Sequence, residues 1–110
     1  FALSRFTDAL KEYQIVIAAK PDFVDAYYFL GQCYNQQGDF SSAVKMFEKV
    51  IEFQPDNTYA LYYLATNLFA SRKMERALYF YKRVLEIDPA FPYADEINSM
   101  IAEIDLLNIK

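Results

Sequence analysis

Tyr27-Tyr28-Phe29-Leu30-Gly31-Gln32-Cys33-Tyr34, followed by Ala43, Phe47 and Pro55, is the stretch that decides the fold. It runs aromatic, two residues, Leu-Gly, two residues, Tyr; then Ala, three residues, Phe; then Pro. The pattern recurs. One period of 34 residues beyond Leu30, Gly31, Ala43, Phe47, Val50 and Pro55 stand Leu64, Ala65, Ala77, Tyr81, Val84 and Pro89. One period before them stand Ala9, Tyr13, Val16 and Pro21. Three prolines at one fixed interval, Pro21, Pro55 and Pro89, mark an internal repeat.

With these spacings the chain resembles the tetratricopeptide repeat family, whose unit is a helix–turn–helix of this length. The resemblance implies an all-α, right-handed solenoid of antiparallel helix pairs. It divides the chain into 1–21, the second half of a truncated repeat; 22–55 and 56–89, two full repeats; and 90–110, a capping helix. The glycine slots of the second full repeat hold Ala65 and Arg72. Ala65 still permits a close helix approach, whereas the turn at Arg72 is expected to be less relaxed than one built on Gly.

Local signals agree. Phe1 to Leu3 fall at the end of a preceding helix, and Ser4 is the expected N-cap of a helix over 5–19. Phe6, Ala9, Leu10, Tyr13, Val16 and Ile17 recur on one face of that helix. Asp22 is the expected cap of a helix reaching Gln37, with Asp25 in its first turn. Gly38 and Asp39 turn the chain into a helix over 40–53. Its apolar face is Phe40, Ala43, Val44, Phe47, Val50 and Ile51, and the pairs Lys45–Glu48 and Lys49–Glu52 mark its solvated face. Helices over 58–70 and 74–87 repeat the plan. A last one over 93–107 turns Ile97, Ile101 and Ile104 inward and places Glu96, Ser99 and Glu103 on more solvated positions, the polar side that an array end requires.

Composition excludes several classes of function. Of 110 residues, 55% are apolar and 18% aromatic, far too many for a disordered chain. There is no His, which removes the commonest general base and metal ligand, and the single Cys33 allows no internal disulfide. Asp22 with Asp25, and Asp95 with Glu96, are acids of helix first turns. Gly31 and Gly38 are the only glycines, so there is no phosphate-binding loop. No catalytic site, metal site or cofactor is expected. A net charge of −4 argues against nucleic acid, and the basic cluster Arg72, Lys73, Arg76, Lys82 and Arg83 reads as a solvated face. The longest apolar run, Tyr59 to Ala65, is too short for membrane insertion. The composition is that of a soluble chain, with cytoplasm favoured over periplasm. The chain begins at Phe1 with no signal pattern and is expected to be a piece of a longer protein.

Tyr27, Leu30, Gly31 and Tyr34 form the packing stripe of their helix and meet Ala43, Phe47 and Val50. A second stripe is surplus to it. It comprises Asp25, Tyr28, Phe29, Gln32, Asn35 and Gln36, and one period later Tyr59, Tyr62, Tyr63, Thr66, Phe69 and Ala70. By the family resemblance these positions line the concave face of the superhelix, where peptides bind. The site residues are therefore Asp25, Tyr28, Phe29, Gln32, Asn35, Gln36, Tyr59, Tyr62, Tyr63, Thr66 and Phe69. Apolar burial would come from the rings, and hydrogen bonds from Gln32, Asn35, Gln36 and Thr66. The alternative for Phe29 and Tyr63 is packing against a neighbouring helix. Family members that hold the acidic tails of chaperones do so with a clamp of Lys, Asn and Arg. Tyr28, Gln32, Tyr59 and Tyr63 stand here instead, so no carboxylate clamp for chaperone tails is expected. With Asp25 and Glu96 the groove is neutral to weakly acidic, favouring ligands with aliphatic and basic residues. The expected partner is a protein or peptide ligand, with a homo-oligomer through exposed repeat ends as the second reading.

Overall fold

The computed structural model describes residues 3–108. Six helices follow one another: α1 (Leu3–Ala19), α2 (Val24–Gln36), α3 (Phe40–Phe53), α4 (Thr58–Ala70), α5 (Met74–Ile87) and α6 (Ala94–Asn108). No strand occurs among the described residues. Each helix packs chiefly on the next in sequence, with α2 on α3 and α4 on α5 as the most extensive pairs. Short connections force such neighbours to run antiparallel. The product is an all-α solenoid of helix pairs, 45 Å long and 26 × 21 Å across.

The helix ends follow from local chemistry. The Asp39 carboxylate accepts from the Ser42 backbone N–H (3.3 Å) and caps α3. Asn57 Oδ1 accepts from the Ala60 N–H (3.1 Å) and caps α4. Gly38 leaves α2 with φ 78°, so that the Asp39 N–H reaches back to the Tyr34 carbonyl (2.9 Å). Arg72 copies that turn with φ 67° and a Lys73 N–H to Leu68 carbonyl bond of 2.8 Å. A side chain in this left-handed region costs ~1–2 kcal/mol, so the sequence-based expectation of a less relaxed turn holds.

Four local expectations are corrected. Asp22 does not cap α2. It lies with Pro21 in the turn, and Phe23 takes the cap position without a side-chain hydrogen bond. The Tyr27 hydroxyl donates to the Pro21 carbonyl (2.7 Å) and holds that turn against the helix it precedes. Ser4 lies inside α1 rather than before it. Leu3 likewise begins α1 and does not end a preceding helix; Phe1 and Ala2, read with it, fall outside the described residues, as does the Phe6 side chain. Glu48 pairs with Arg76, whose guanidinium reaches it from α5 (2.7 Å), and not with Lys45. The expected Lys49–Glu52 pair is present at 3.6 Å.

The core is the packing stripe read from the sequence. Leu30, Gly31, Ala43, Phe47 and Val50 are buried, and so one period on are Leu64, Ala65, Ala77, Tyr81 and Val84. A Cβ on Gly31 would stand 2.7 Å from Phe47 Cζ, so glycine admits the ring edge. α6 joins the stack with Ile97 and Ile104 fully buried and Ile101 packed against the core. α1 differs. Ala9, Leu10, Tyr13, Val16 and Ile17 are only half-buried, and Ile15 is 68% exposed, because among the described helices α1 packs chiefly on α2.

Candidate functional site

The surplus stripe becomes a ladder of rings. Tyr13 of α1 stacks on Phe29 of α2 (5.5 Å, 21°), and one period later Phe47 stacks on Tyr63 (5.7 Å, 22°). Tyr28 joins the two stacks, meeting Phe29 (6.0 Å), Phe47 (5.8 Å) and Tyr63 (6.2 Å) edge-on. Tyr63 then meets Tyr62 (5.2 Å), and Tyr62 meets Tyr93 (5.1 Å) and Phe91 (5.6 Å). Tyr59 lies against Phe91 (5.0 Å). Offset and edge-to-face contacts of this kind are favourable for quadrupolar rings. They run without a break from α1 to the start of α6.

Placement within the ladder differs from residue to residue. Phe29 and Tyr59 are the most open rings, 46% and 40% exposed, whereas Tyr28, Tyr62 and Tyr63 are half-buried. Packing between neighbouring helices, the alternative for Phe29 and Tyr63, does occur: each stacks on a ring of another helix. An open cavity of about 350 Å³ lies between α2 and α4. Four of the predicted residues, Asp25, Tyr28, Phe29 and Tyr59, line it together with Val24, Val50, Gln54 and Asn57. Gln32, Asn35, Gln36, Thr66 and Phe69 do not reach this cavity. Gln36 is exposed, whereas Asn35 and Phe69 are half-buried, with Phe69 packed against the core.

The polar groups of the stripe are already engaged in part. Gln32 Nε2 donates to the Tyr28 hydroxyl (3.4 Å). Thr66 Oγ1 donates to the Tyr62 carbonyl (3.0 Å) and shares a hydrogen bond with the Tyr81 hydroxyl (3.0 Å). The Tyr62 hydroxyl donates to Glu96 Oε2 (3.1 Å). Burial, followed by this bond to a carboxylate that needs the phenolic proton, pushes the Tyr62 phenol up to about 12. Burial raises Tyr28, with Tyr63 adding to it, and burial likewise raises Tyr81 and the Cys33 thiol. The stripe phenols Tyr28 and Tyr62 are therefore neutral hydrogen-bonding groups at ordinary pH. No group of three Cys, Asp or Glu able to hold a metal ion comes together among the described residues.

The sequence-based site omitted Tyr13, Phe91 and Tyr93. Tyr93 had a readable signal: Asp25, Tyr59 and Tyr93 occupy one slot at successive periods. Tyr62 and Glu96, the hydrogen-bonded pair, are likewise one period apart. Tyr13 was assigned to packing as the forerunner of Phe47 and performs both tasks, because α1 leaves one side of its ring open.

A tetratricopeptide repeat family profile matches residues 1–58 and 36–92. No curated protein sequence matches the chain. Among solved structures, the chain is similar to the first tetratricopeptide domain of Spaghetti (RPAP3) bound to an HSP90 peptide, with a TM-score of 0.83 and 21% identity over 97% of this chain and 82% of that one. It is also similar to the Yersinia enterocolitica type III secretion chaperone SycD in complex with a peptide of the translocator YopD (TM-score 0.85, 17% identity, 96% of this chain and 83% of that one). A third is the TPR2B domain of yeast Sti1 in its complex with pHsp70 (TM-score 0.79, 21% identity, 94% and 86%). At these identities the likeness is one of fold. With the profile covering residues 1–92 and the helix pairs repeating at its period, this chain belongs to the tetratricopeptide repeat family.

Proposed function

We propose that the chain is a non-catalytic protein-interaction module that holds a peptide segment or partner helix along the ring ladder, as an adaptor or scaffold. The observation that carries this reading is the coincidence of the two most open rings of the ladder, Phe29 and Tyr59, with the cavity between α2 and α4. Large apolar groups left open beside a cavity stabilise a complex more than a free chain. That SycD and the Spaghetti domain each hold a peptide on the same fold agrees with it. The positions that would form a carboxylate clamp carry no cation, so the ligand differs from an acidic chaperone tail.

The test is a substitution series on binding of the partner recovered with the protein by cross-linking from its source. Tyr62 is hydrogen-bonded to Glu96 of α6, so its removal would disturb α6 as well as the groove. Phe29→Ala with Tyr59→Ala is the cleaner change. Buried aromatic anchors carry ~2 kcal/mol or more at interfaces, so the double variant is expected to lose affinity at least tenfold with an unchanged helical signal. Retained binding, lost instead on reversing Lys45, Lys49, Lys82 and Arg83, would move the partner to the outer helices and end the groove reading.

A second reading, self-association through the terminal helices, is favoured by Ile15 on α1 and Leu106 on α6, 68% and 64% exposed. Sedimentation over a concentration series separates the two, since groove binding requires no dimer.

A further inference from the structure

We infer that the cavity between α2 and α4 is a seat for a cationic side chain, Lys or Arg, of the bound peptide; this rests on the groove reading above. Tyr28 and Phe29 present rings at 80° to one another with centroids 6.0 Å apart, which makes a corner of two π surfaces. Tyr59 supplies a third ring from α4, and Val24 and Val50 complete the apolar lining. The Asp25 carboxylate stands at the same cavity, exposed and in no ion pair among the described residues. No Lys or Arg lines the cavity, so the chain does not fill this seat with a cation of its own.

Three rings and a carboxylate are the chemistry that holds an ammonium or guanidinium group. The ring faces carry negative quadrupole density and the acid supplies a full charge. The methylenes of a Lys or Arg would lie along the valines while the charged head stays near solvent. Other occupants fit less well. A ligand carboxylate would face Asp25 and the negative ring faces. A purely aliphatic side chain would bury the rings and leave Asp25 unused. Both amide oxygens lining the cavity are already engaged, Gln54 Oε1 by Asn57 Nδ2 (2.9 Å) and Asn57 Oδ1 by the Ala60 N–H that it caps. Two effects oppose a cation here, the positive ends of the α2 and α4 dipoles, worth about half a charge each. The negative end of the α3 dipole at Gln54 and the full charge of Asp25 together outweigh them.

The experiment titrates the 110-residue chain with N-acetyl-Leu-Lys-Leu-amide and with the same peptide carrying norleucine or Glu in place of Lys, followed by amide NMR shifts. The Lys peptide is expected to shift Val24, Asp25, Asn57 and Tyr59 and to bind roughly fivefold tighter than the norleucine peptide, with the Glu peptide weakest. Asp25→Asn, at an exposed position, should narrow the gap between the Lys and norleucine affinities to less than half of its parent value. Tyr59→Leu should reduce the Lys preference while keeping apolar bulk. Equal binding of the Lys and norleucine peptides to the parent overturns the seat, as does a Lys preference that Asp25→Asn leaves undiminished. Either result leaves the groove reading standing if the stripe amides still shift. Shifts confined to α3 and α5 would overturn both.

Discussion

At the scale of single residues, slots one period apart solve the same packing problem with different atoms. Gly31 admits the Phe47 ring edge, and one period later Ala65 lies buried where Tyr81 replaces Phe47. The extra hydroxyl of Tyr81 is satisfied by Thr66 rather than left buried and unpaired. Leu30 and Leu64 are buried at the centre of these slots, so truncating either to Ala is expected to cost ~2–5 kcal/mol in urea unfolding. Variants that melt within a degree or two of the parent would show that these positions are not core. Tyr62 links stability to pH. Its phenol is raised from the ordinary value of 10.0 to about 12 in the folded chain, so the folded state holds that proton more tightly than the unfolded one. The resulting stabilisation is complete below about pH 10 and is lost as pH rises through about 12. Urea midpoints across that window should fall in the parent and fall less in Tyr62→Phe. Equal slopes would mean that burial and the Glu96 bond do not raise the Tyr62 phenol in the folded chain.

At the scale of elements, each helix is stable because a neighbour covers its apolar face. α2, α3, α4 and α5 each pack on a helix before and after, and each contributes fully buried side chains. α6 packs chiefly on α5 and buries Ile97 and Ile104. Its opposite side carries Glu103 and Asp105, both exposed. Ending the chain before Pro92 removes that cover and uncovers the α5 side of the core. The shortened chain is expected to aggregate, and size-exclusion chromatography reads this directly. A soluble monomer with an unchanged melting temperature would make α6 a loose tail.

At the scale of the whole molecule, the solenoid is close to one-dimensional, because each helix packs chiefly on its sequence neighbours. The stack is longer than it is wide, 45 Å against 26 and 21 Å, and its groove surface is correspondingly extended. No helix among the described residues is long and apolar enough to cross a membrane. The charge is divided between faces. Lys45, Lys73, Arg76 and Glu48 surround a second hollow of about 250 Å³ between α3 and α5, whereas the groove cavity carries Asp25 and no cation. On the proposed reading a ligand's charge selects its face, and the Lys, norleucine and Glu peptides described above measure that selection.

The repeat period, the helix limits of α3, α4 and α5, the packing stripe and the inward face of α6 were all legible in the sequence. Each rests on local spacing: the prolines every 34 residues, Asp39 and Asn57 before helix starts, and apolar residues at helical intervals. The start of α2 was misread because the Tyr27 hydroxyl, held by the fold against the Pro21 carbonyl, reshapes the turn that Asp22 was expected to cap. Only the tertiary structure decided how the surplus rings divide. The sequence marks Tyr28, Phe29, Tyr59, Tyr62 and Tyr63 as one class, yet Tyr63 is half-buried against Phe47 while Phe29 and Tyr59 stay open. Which ring is covered depends on the angle at which successive helix pairs stack, and that angle is set by side-chain volumes across two helices at once. A one-dimensional period carries no record of it.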